Sequence, residues 1–243
     1  MLLRSAPMLD PKPRVPSNLN PFARELLELL RGQPAARHII LGGGVALSHY
    51  LEYRETVDVD AWWRQGLTSE SMEEALALLR PAMRELAARH GLECSEREFG
   101  DTRSLELRGG TGKTFSFQVS RRDLELDPPV AAEWSPLWIE TFRENLAAKM
   151  KALVNRGAPR DFTDIATACR AGFVTIDECW ALWAAKTPGG SVPEQKINLL
   201  RLLEQIAARR PIEHILDAAR RAEAVAVREF FRGQFCAMGG AER

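Results

Sequence analysis

The chain has 243 residues, with 33 basic and 33 acidic side chains that give a formal net charge of +0. Apolar residues make up 45% and charged residues 27%, which is typical of a folded protein and excludes a wholly disordered one. The balanced charge provides no global field that would attract nucleic acid or a membrane, and no apolar run approaches the roughly 20 residues of a membrane span. We therefore expect a cytoplasmic protein with no membrane partner.

The first half of the chain is predicted to mix helices and strands. Four prolines within residues 1–18 predict an irregular arm. A capped helix, a short apolar strand, a glycine turn and a second helix follow, and a longer helix occupies the region before Gly91. Period-two alternation then predicts half-buried strands. These alternating segments read "LECSEREF", "TRSLELR" and "KTFSFQVS", and a further strand, "VDVDAWW", is predicted before the longer helix. We expect an α+β domain over residues 19–138.

After about residue 138 the hydrophobic period is helical throughout. Glycine or proline separates most of the predicted helices. Their segments read "IETFRENLAAKMKALVNRG", "PRDFTDIATACRAG", "TIDECWALWAAK", "VPEQKINLLRLLEQIAARR" and "PIEHILDAARRAEAVAVREFF". An all-α domain is therefore predicted over residues 139–243.

The segment "RGGTGKT" ends like a phosphate-binding P-loop but lacks its other features. A P-loop has glycine five residues before the Gly-Lys pair, where this chain has Leu107, and it joins a strand to a helix. Here the segment lies between two predicted strands. We therefore predict a hairpin turn and expect replacement of Lys113 to leave nucleotide affinity nearly unchanged.

A glycine turn lies between the strand "RHIIL" and the helix that follows it. Because Gly42, Gly43 and Gly44 have no side chains, an anion such as phosphate could approach their backbone N–H groups. The turn departs from the dinucleotide-binding pattern because Leu47 takes the place of its third glycine. Such turns are also common as purely structural features.

Two aspartates follow the glycine turn on a predicted strand. Residues two apart on a strand point to the same face, so the carboxylates of Asp58 and Asp60 repel each other unless a cation lies between them. Such an oxygen-rich pair suits Mg²⁺ bound together with nucleotide phosphates. The alternative is a solvated polar edge strand. Together, the turn and the paired carboxylates indicate metal–nucleotide chemistry.

Two stretches carry a resemblance to a known family. "GGGVALSHYLEYRETVDVD" resembles the first motif of the minimal nucleotidyltransferases of the polymerase-β-like superfamily, and in particular of the AbiEii/AbiGii-type toxin family. "NLAAKMKALVNRGAPRDFTDI" is similar to that family's helical segment, in which a lysine, an arginine and a "KDxxD" group recur. The matching residues are Lys149, Arg156, Arg160, Asp161 and Asp164, with Arg160 where lysine is usual.

The resemblance implies a nucleotidyltransferase fold, a small mixed sheet flanked by helices, followed by a helical domain that closes the cleft. It implies that Asp58 and Asp60 hold Mg²⁺ or Mn²⁺ and that Gly42, Gly43 and Gly44 cradle the phosphates of an NTP. The expected reaction moves a nucleoside monophosphate from the NTP to an acceptor hydroxyl and releases pyrophosphate.

In the helical half, the resemblance assigns Lys149, Arg156 and Arg160 to nucleotide binding. The cations would neutralise the triphosphate, and Asp164 would help to activate the acceptor hydroxyl. By the same resemblance, the protein would be the toxin of a toxin–antitoxin pair, with tRNA or a protein as acceptor and an antitoxin as partner.

One departure from the superfamily leaves two alternatives open. Related enzymes often carry a third carboxylate on a later strand, but the strand "KTFSFQVS" presents Ser116, Gln118 and Ser120, and no acid follows until Asp123. The chain could be a stand-alone enzyme that modifies a small molecule. It could also be a non-catalytic nucleotide-binding or interaction protein that has lost the third carboxylate.

Overall fold

A computed structural model describes residues 9–122 and 124–236 of the chain. Asp123 and most of the first half of the predicted arm lie outside the described residues. The residues form two units, Pro11–Asn145 and the described parts of Met1–Asp10 and Leu146–Arg243. The domain boundary expected between residues 138 and 139 stays a prediction.

The first unit is built on a six-stranded mixed sheet. Its strand order is β3-β4-β5-β2-β1-β6, in which the β2–β5 and β1–β6 pairs are parallel and the other three are antiparallel. The strands are β1 (Ile39–Leu41), β2 (Val59–Trp63), β3 (Glu93–Phe99), β4 (Thr102–Gly109), β5 (Gly112–Ser120) and β6 (Trp138–Ile139). The helices are α1 (Pro21–Leu29), α2 (Gly43–Ser48) and α3 (Ser69–Arg89), and α4 (Phe142–Arg156) begins in this unit.

Local signals explain where these helices begin and end. The side chain of Asn20 accepts a hydrogen bond from the backbone N–H of Phe22 at 3.0 Å, which caps α1. The side chain of Thr68 caps α3 in the same way. Pro81 lies inside α3 and does not divide it: the helix continues to Arg89, and its apolar face is buried on both sides of the proline.

The sheet has one buried face and one polar face near its centre. On β2, Val59, Ala61 and Trp63 are buried, whereas Asp60 and Trp62 between them are half-buried on the opposite face. β2 lies inside the sheet, between β5 and β1, and its half-buried residues are on one side only.

The second unit contains only helices within its described residues, as the helical period predicts. After α4 these are α5 (Pro159–Arg170), α6 (Ile176–Lys186), α7 (Val192–Arg209), a 3₁₀ turn at Ile212–His214 and α8 (Ala218–Cys236). The sequence predicts one helix over residues 211–231, but α8 begins only at Ala218. The reason is local, since Asp217 Oδ1 accepts from the backbone N–H of Arg220 at 2.7 Å and so starts the helix there.

The α+β class, with a mixed sheet flanked by helices and a helical C-terminal region, is confirmed. Among the described residues, no helix combines the length and hydropathy needed to cross a bilayer.

Candidate functional site

The glycine turn packs directly against the first part of β2. Gly43 has a φ of 58°, in the left-handed region that favours glycine. A Cβ atom on Gly43 would lie 2.3 Å from Asp60 Oδ2 and 2.7 Å from Asp60 Cβ. The carboxylate of Asp60 therefore touches the turn at a position where a side chain is sterically forbidden.

The other two glycines are also set by close neighbours. A Cβ atom on Gly42 would lie 2.1 Å from Trp62 Nε1, and one on Gly44 would lie 2.6 Å from Thr56 Oγ1. The backbone N–H of Gly42 donates to the carbonyl of Asp60 at 2.9 Å, so this N–H is not free for an anion. The expected three-residue phosphate cradle is thereby reduced to Gly43 and Gly44.

A buried amide holds the turn from another side. Asn145 Nδ2 donates to the carbonyl of Gly43 at 3.0 Å and to Glu140 Oε2 at 2.6 Å. Asn145 and Glu140 are almost completely buried. The Asn145 amide therefore has a fixed orientation, and it fixes the Gly43 peptide in turn.

Arg122 completes this buried cluster. Its guanidinium forms ion pairs with Glu140 and Glu144 and lies 4.5 Å from the ring centroid of Trp62. Burial lowers the pKa of Arg122, while the charge of Glu144 opposes that shift. Sequence reasoning missed this cluster, because Trp62 and Arg122 are distant in the chain from the segment that contains Glu140, and the members follow no motif.

Asp58 immediately precedes β2 and is already paired with a cation. Lys113 Nζ donates to Asp58 Oδ2 at 2.9 Å, and Ser116 Oγ donates to Asp58 Oδ1 at 2.9 Å. The predicted hairpin is correct, since Gly109 pairs with Gly112 across its turn. The parallel pairing of β2 with β5 brings the hairpin lysine to Asp58, and the expected small effect of replacing Lys113 on nucleotide affinity stays a prediction.

A further acid lies on β4, the strand that pairs with β5 on the side away from β2. Glu106 pairs across the sheet with Ser116, so the two side chains share the polar face. Its carboxylate is 10% exposed and accepts a hydrogen bond from Arg108 Nη2 at 2.8 Å. The sequence pattern points to β5 as the strand for a third carboxylate, whereas Glu106 lies on β4. Within residues 9–122 and 124–236, however, no group of three or more acidic, histidine or cysteine side chains could hold a metal ion.

The donor set at Asp58 and Asp60 fits a hard divalent cation. Mg²⁺ binds through one or two carboxylates together with substrate phosphates, and it does not need a complete cage of protein ligands. Both aspartates are only half-buried. The ammonium group of Lys113 on Asp58 also shows that this carboxylate accepts a cation at the polar face of the sheet.

In the second unit, two carboxylates of α5 pair with two cations of α4. Lys149 Nζ lies 2.6 Å from Asp164 Oδ2, with the Lys149 side chain 8% and the Asp164 side chain 0% exposed. Arg156 bonds both oxygens of the buried Asp161, at 2.7 Å through Nε and 2.9 Å through Nη2. Arg160 is exposed and forms no ion pair with any described residue. α4 and α5 are thus joined by two ion pairs, Lys149 with Asp164 and Arg156 with Asp161.

Comparisons with known proteins agree with the resemblance. A family model described as "Nucleotidyl transferase AbiEii toxin, Type IV TA system" matches residues 26–232, well over half of the chain. No curated protein matches the sequence. Among solved structures, the chain is similar to the crystal structure of an antigenic nucleotidyltransferase-like protein from Paracoccidioides brasiliensis, with 15% identity over 82% of this chain and 92% of that chain. The TM-score is 0.37, which means that the two structures are only weakly similar.

The contact between Gly43 and Asp60 predicts an unusually costly substitution. Gly43→Ala should lower the free energy of unfolding by clearly more than the roughly 1 kcal/mol expected for a left-handed alanine, because Asp60 must also move. Gly66→Ala is the matched control, since Gly66 has a φ of 75° and nothing lies within 4 Å of its added Cβ. Urea unfolding of both variants checks the prediction, and equal losses would contradict it.

Proposed function

This chain belongs to the AbiEii family of nucleotidyl transferase toxins, and we propose that it moves a nucleoside monophosphate from an NTP to an acceptor hydroxyl with the help of Mg²⁺ or Mn²⁺. The family makes the chain a nucleotidyltransferase of the type IV toxin–antitoxin systems, with an NTP as co-substrate. In the proposed reaction, the acceptor hydroxyl gives up its proton to water, its oxygen bonds to the α-phosphorus, the bond from that phosphorus to the oxygen that bridges to the β-phosphate breaks, and pyrophosphate leaves. The observation that carries the proposal is the contact of Asp60 with the glycine turn.

We assign Asp58 and Asp60 to the metal ion. The half-buried carboxylates and the cation already on Asp58 support this assignment. When bound, the ion supplies positive charge to the phosphates of the NTP. The backbone N–H groups of Gly43 and Gly44 are assigned to the phosphates, and Gly42 is assigned to shaping the turn, because its N–H is bonded to Asp60.

Lys149 is assigned to the triphosphate as a cation that stabilises the charge of the transferring group. Asp164 was expected to act on the acceptor hydroxyl. Its fully buried carboxylate contacts Lys149, which favours a positioning role in which Asp164 orients the ammonium group. Arg156, oriented by Asp161, and the exposed Arg160 are proposed as further nucleotide-binding cations.

For the acceptor we propose tRNA or a protein, and for the partner an antitoxin protein, with the reaction taking place in the cytoplasm. Incubation of the purified chain with Mg²⁺, total RNA, total protein and NTPs labelled at either the α- or the γ-phosphate tests this. Transfer of the α-label alone, sensitive to nuclease or to protease, identifies nucleotidyl transfer and its acceptor. Transfer of the γ-label, or of no label under any of these conditions, would contradict the proposal.

The metal assignment predicts the behaviour of two aspartate variants. Mg²⁺ with NTP should raise the melting temperature of the native chain, because a ligand that binds only the folded state stabilises it. Asp58→Asn and Asp60→Asn should each abolish that shift and the transfer of the α-label. The exposed Asp177 provides the matched control, since Asp177→Asn should leave both unchanged. An undiminished nucleotide shift in both aspartate variants would remove the metal site.

The buried pair of Lys149 and Asp164 predicts that activity and stability separate. Lys149→Met should lower the transfer rate about 10²-fold or more and should also destabilise the chain by about 3–5 kcal/mol, because it removes the cation that pairs with the buried carboxylate of Asp164. The double variant Lys149→Met/Asp164→Asn should recover much of the stability but none of the activity. If the double variant regains activity, Lys149 has only a structural role.

Lys151→Met is the control on the same helix. Lys151 projects about 200° around α4 from Lys149, and it is only half-buried. We expect its replacement to change the transfer rate and the stability little. Similar losses of rate for Lys149→Met and Lys151→Met would refute the assignment of Lys149 to the triphosphate.

The ion pair at Asp58 predicts that Lys113 competes with the metal. Lys113→Met should strengthen Mn²⁺ binding, measured by electron paramagnetic resonance without nucleotide, by about two- to fivefold, the usual range for a partly exposed ion pair. The exposed Lys12 offers a control, and Lys12→Met should leave the affinity unchanged. Weaker or equal Mn²⁺ binding by Lys113→Met would show that Lys113 and the metal do not share Asp58.

A further inference from the structure

The helical unit contains a cavity that none of the residues assigned to nucleotidyl transfer lines. Its volume is about 220 Å³, and it lies among α5, α7 and α8. The walls are largely apolar, with Phe162, Leu203 and Val227 buried and Ile206 and Ile215 half-buried. Liquid water occupies about 30 Å³ per molecule, so the cavity has room for a compact ligand built around one ring or a short branched chain.

One charged side chain in the wall of this cavity is nearly buried. Arg228 of α8 is 8% exposed, and its Nη2 donates to the backbone carbonyl of Arg210 at 2.6 Å. Among the described residues, no carboxylate lies within ion-pair distance of this guanidinium. Burial and the charge of Arg232 lower the pKa of Arg228, while the charge of Glu213 opposes that shift.

The backbone contact satisfies only part of this guanidinium. Arg210 is the C-cap residue of α7, and the negative end of a helix attracts a cation. That carbonyl takes one of the five N–H donors of an arginine and supplies only a fraction of a countercharge. Arg210 itself also lines the cavity, which adds a second positive charge there. A buried charge is normally paired, so an anion is the missing partner.

We propose that this cavity binds a small organic anion. Its carboxylate or phosphate group contacts the guanidinium of Arg228, and its apolar body packs against Phe162 and Val227. Arginine suits this role because its planar fork of donors matches both carboxylate and phosphate oxygens. Apolar walls with a single oriented polar group are typical of small-molecule sites. The site is independent of the proposed transfer reaction.

Isothermal titration of the full-length chain with benzoate and with phenyl phosphate tests the proposal. Benzyl alcohol serves as the uncharged counterpart and inorganic phosphate as the anion without an apolar body. We expect at least one of the two aromatic anions to bind about tenfold or more tightly than benzyl alcohol, as a charge-assisted hydrogen bond would give. The stronger of the two probes identifies the anionic group that the site prefers. Equal binding of benzyl alcohol, or no binding of either aromatic anion, would overturn the proposal.

Two variants locate the binding, and a third controls for the loss of charge. Arg228→Met keeps an apolar stem but removes the charge, and it should weaken binding of the preferred anion about tenfold or more. Ala224→Leu fills part of the cavity from α8 without changing charge, and it should abolish binding. This variant decides the proposal in the event that Arg228→Met does not fold. Arg220→Met, at an exposed position of α8, should leave the affinity unchanged. Unchanged affinity in Ala224→Leu would show that the anion binds elsewhere and would overturn the proposal.

Discussion

The close contact between Asp60 and Gly43 is the constraint on which the first unit depends. Because a Cβ atom at Gly43 would lie 2.3 Å from Asp60 Oδ2, the carboxylate can occupy its position only if the turn lacks a side chain there. The other contacts of the turn maintain the same arrangement. Gly42 bonds the backbone of Asp60, and Asn145 bonds the carbonyl of Gly43. The turn and the acidic strand therefore form one structural feature, which joins the backbone that we propose for phosphate binding to the carboxylate that we propose for metal binding.

The charges of this unit are balanced locally, by residues that come from other strands and loops. The carboxylate of Asp58 is paired with Lys113, and the buried carboxylates of Glu140 and Glu144 are paired with Arg122. Two aspartates near each other at a polar sheet face would otherwise destabilise the fold by repulsion. Because Asp58 is partly exposed, we expect Lys113 to be displaced by the metal ion that we propose there. The buried Arg122 cannot leave so easily, because Glu140 and Glu144 would then lose the cation that pairs with both of them.

The helical unit shows both the paired and the unpaired form of a buried cation. Lys149 is buried against Asp164, and the attraction between the two charges offsets part of the cost of removing them from water. Arg228 is buried to a similar extent but faces a cavity and a backbone carbonyl. The physical difference between them is the presence of a carboxylate. This difference is the reason why we propose a positioning role for Asp164 and an external anion for Arg228.

The sequence by itself determined the features that depend on neighbours along the chain. Helical and strand periods gave the α+β half and the helical half, and the spacing of Gly43, Asp58 and Asp60 carried the family resemblance. Only the tertiary structure decided that Lys113 contacts Asp58, that Glu106 lies beside Ser116, and that Gly42 has no free N–H. Each of these results from pairing between strands that are distant in sequence, and a local pattern holds no information on which strands pair. The polar face of the sheet was predictable, but the partner of each group on it was not.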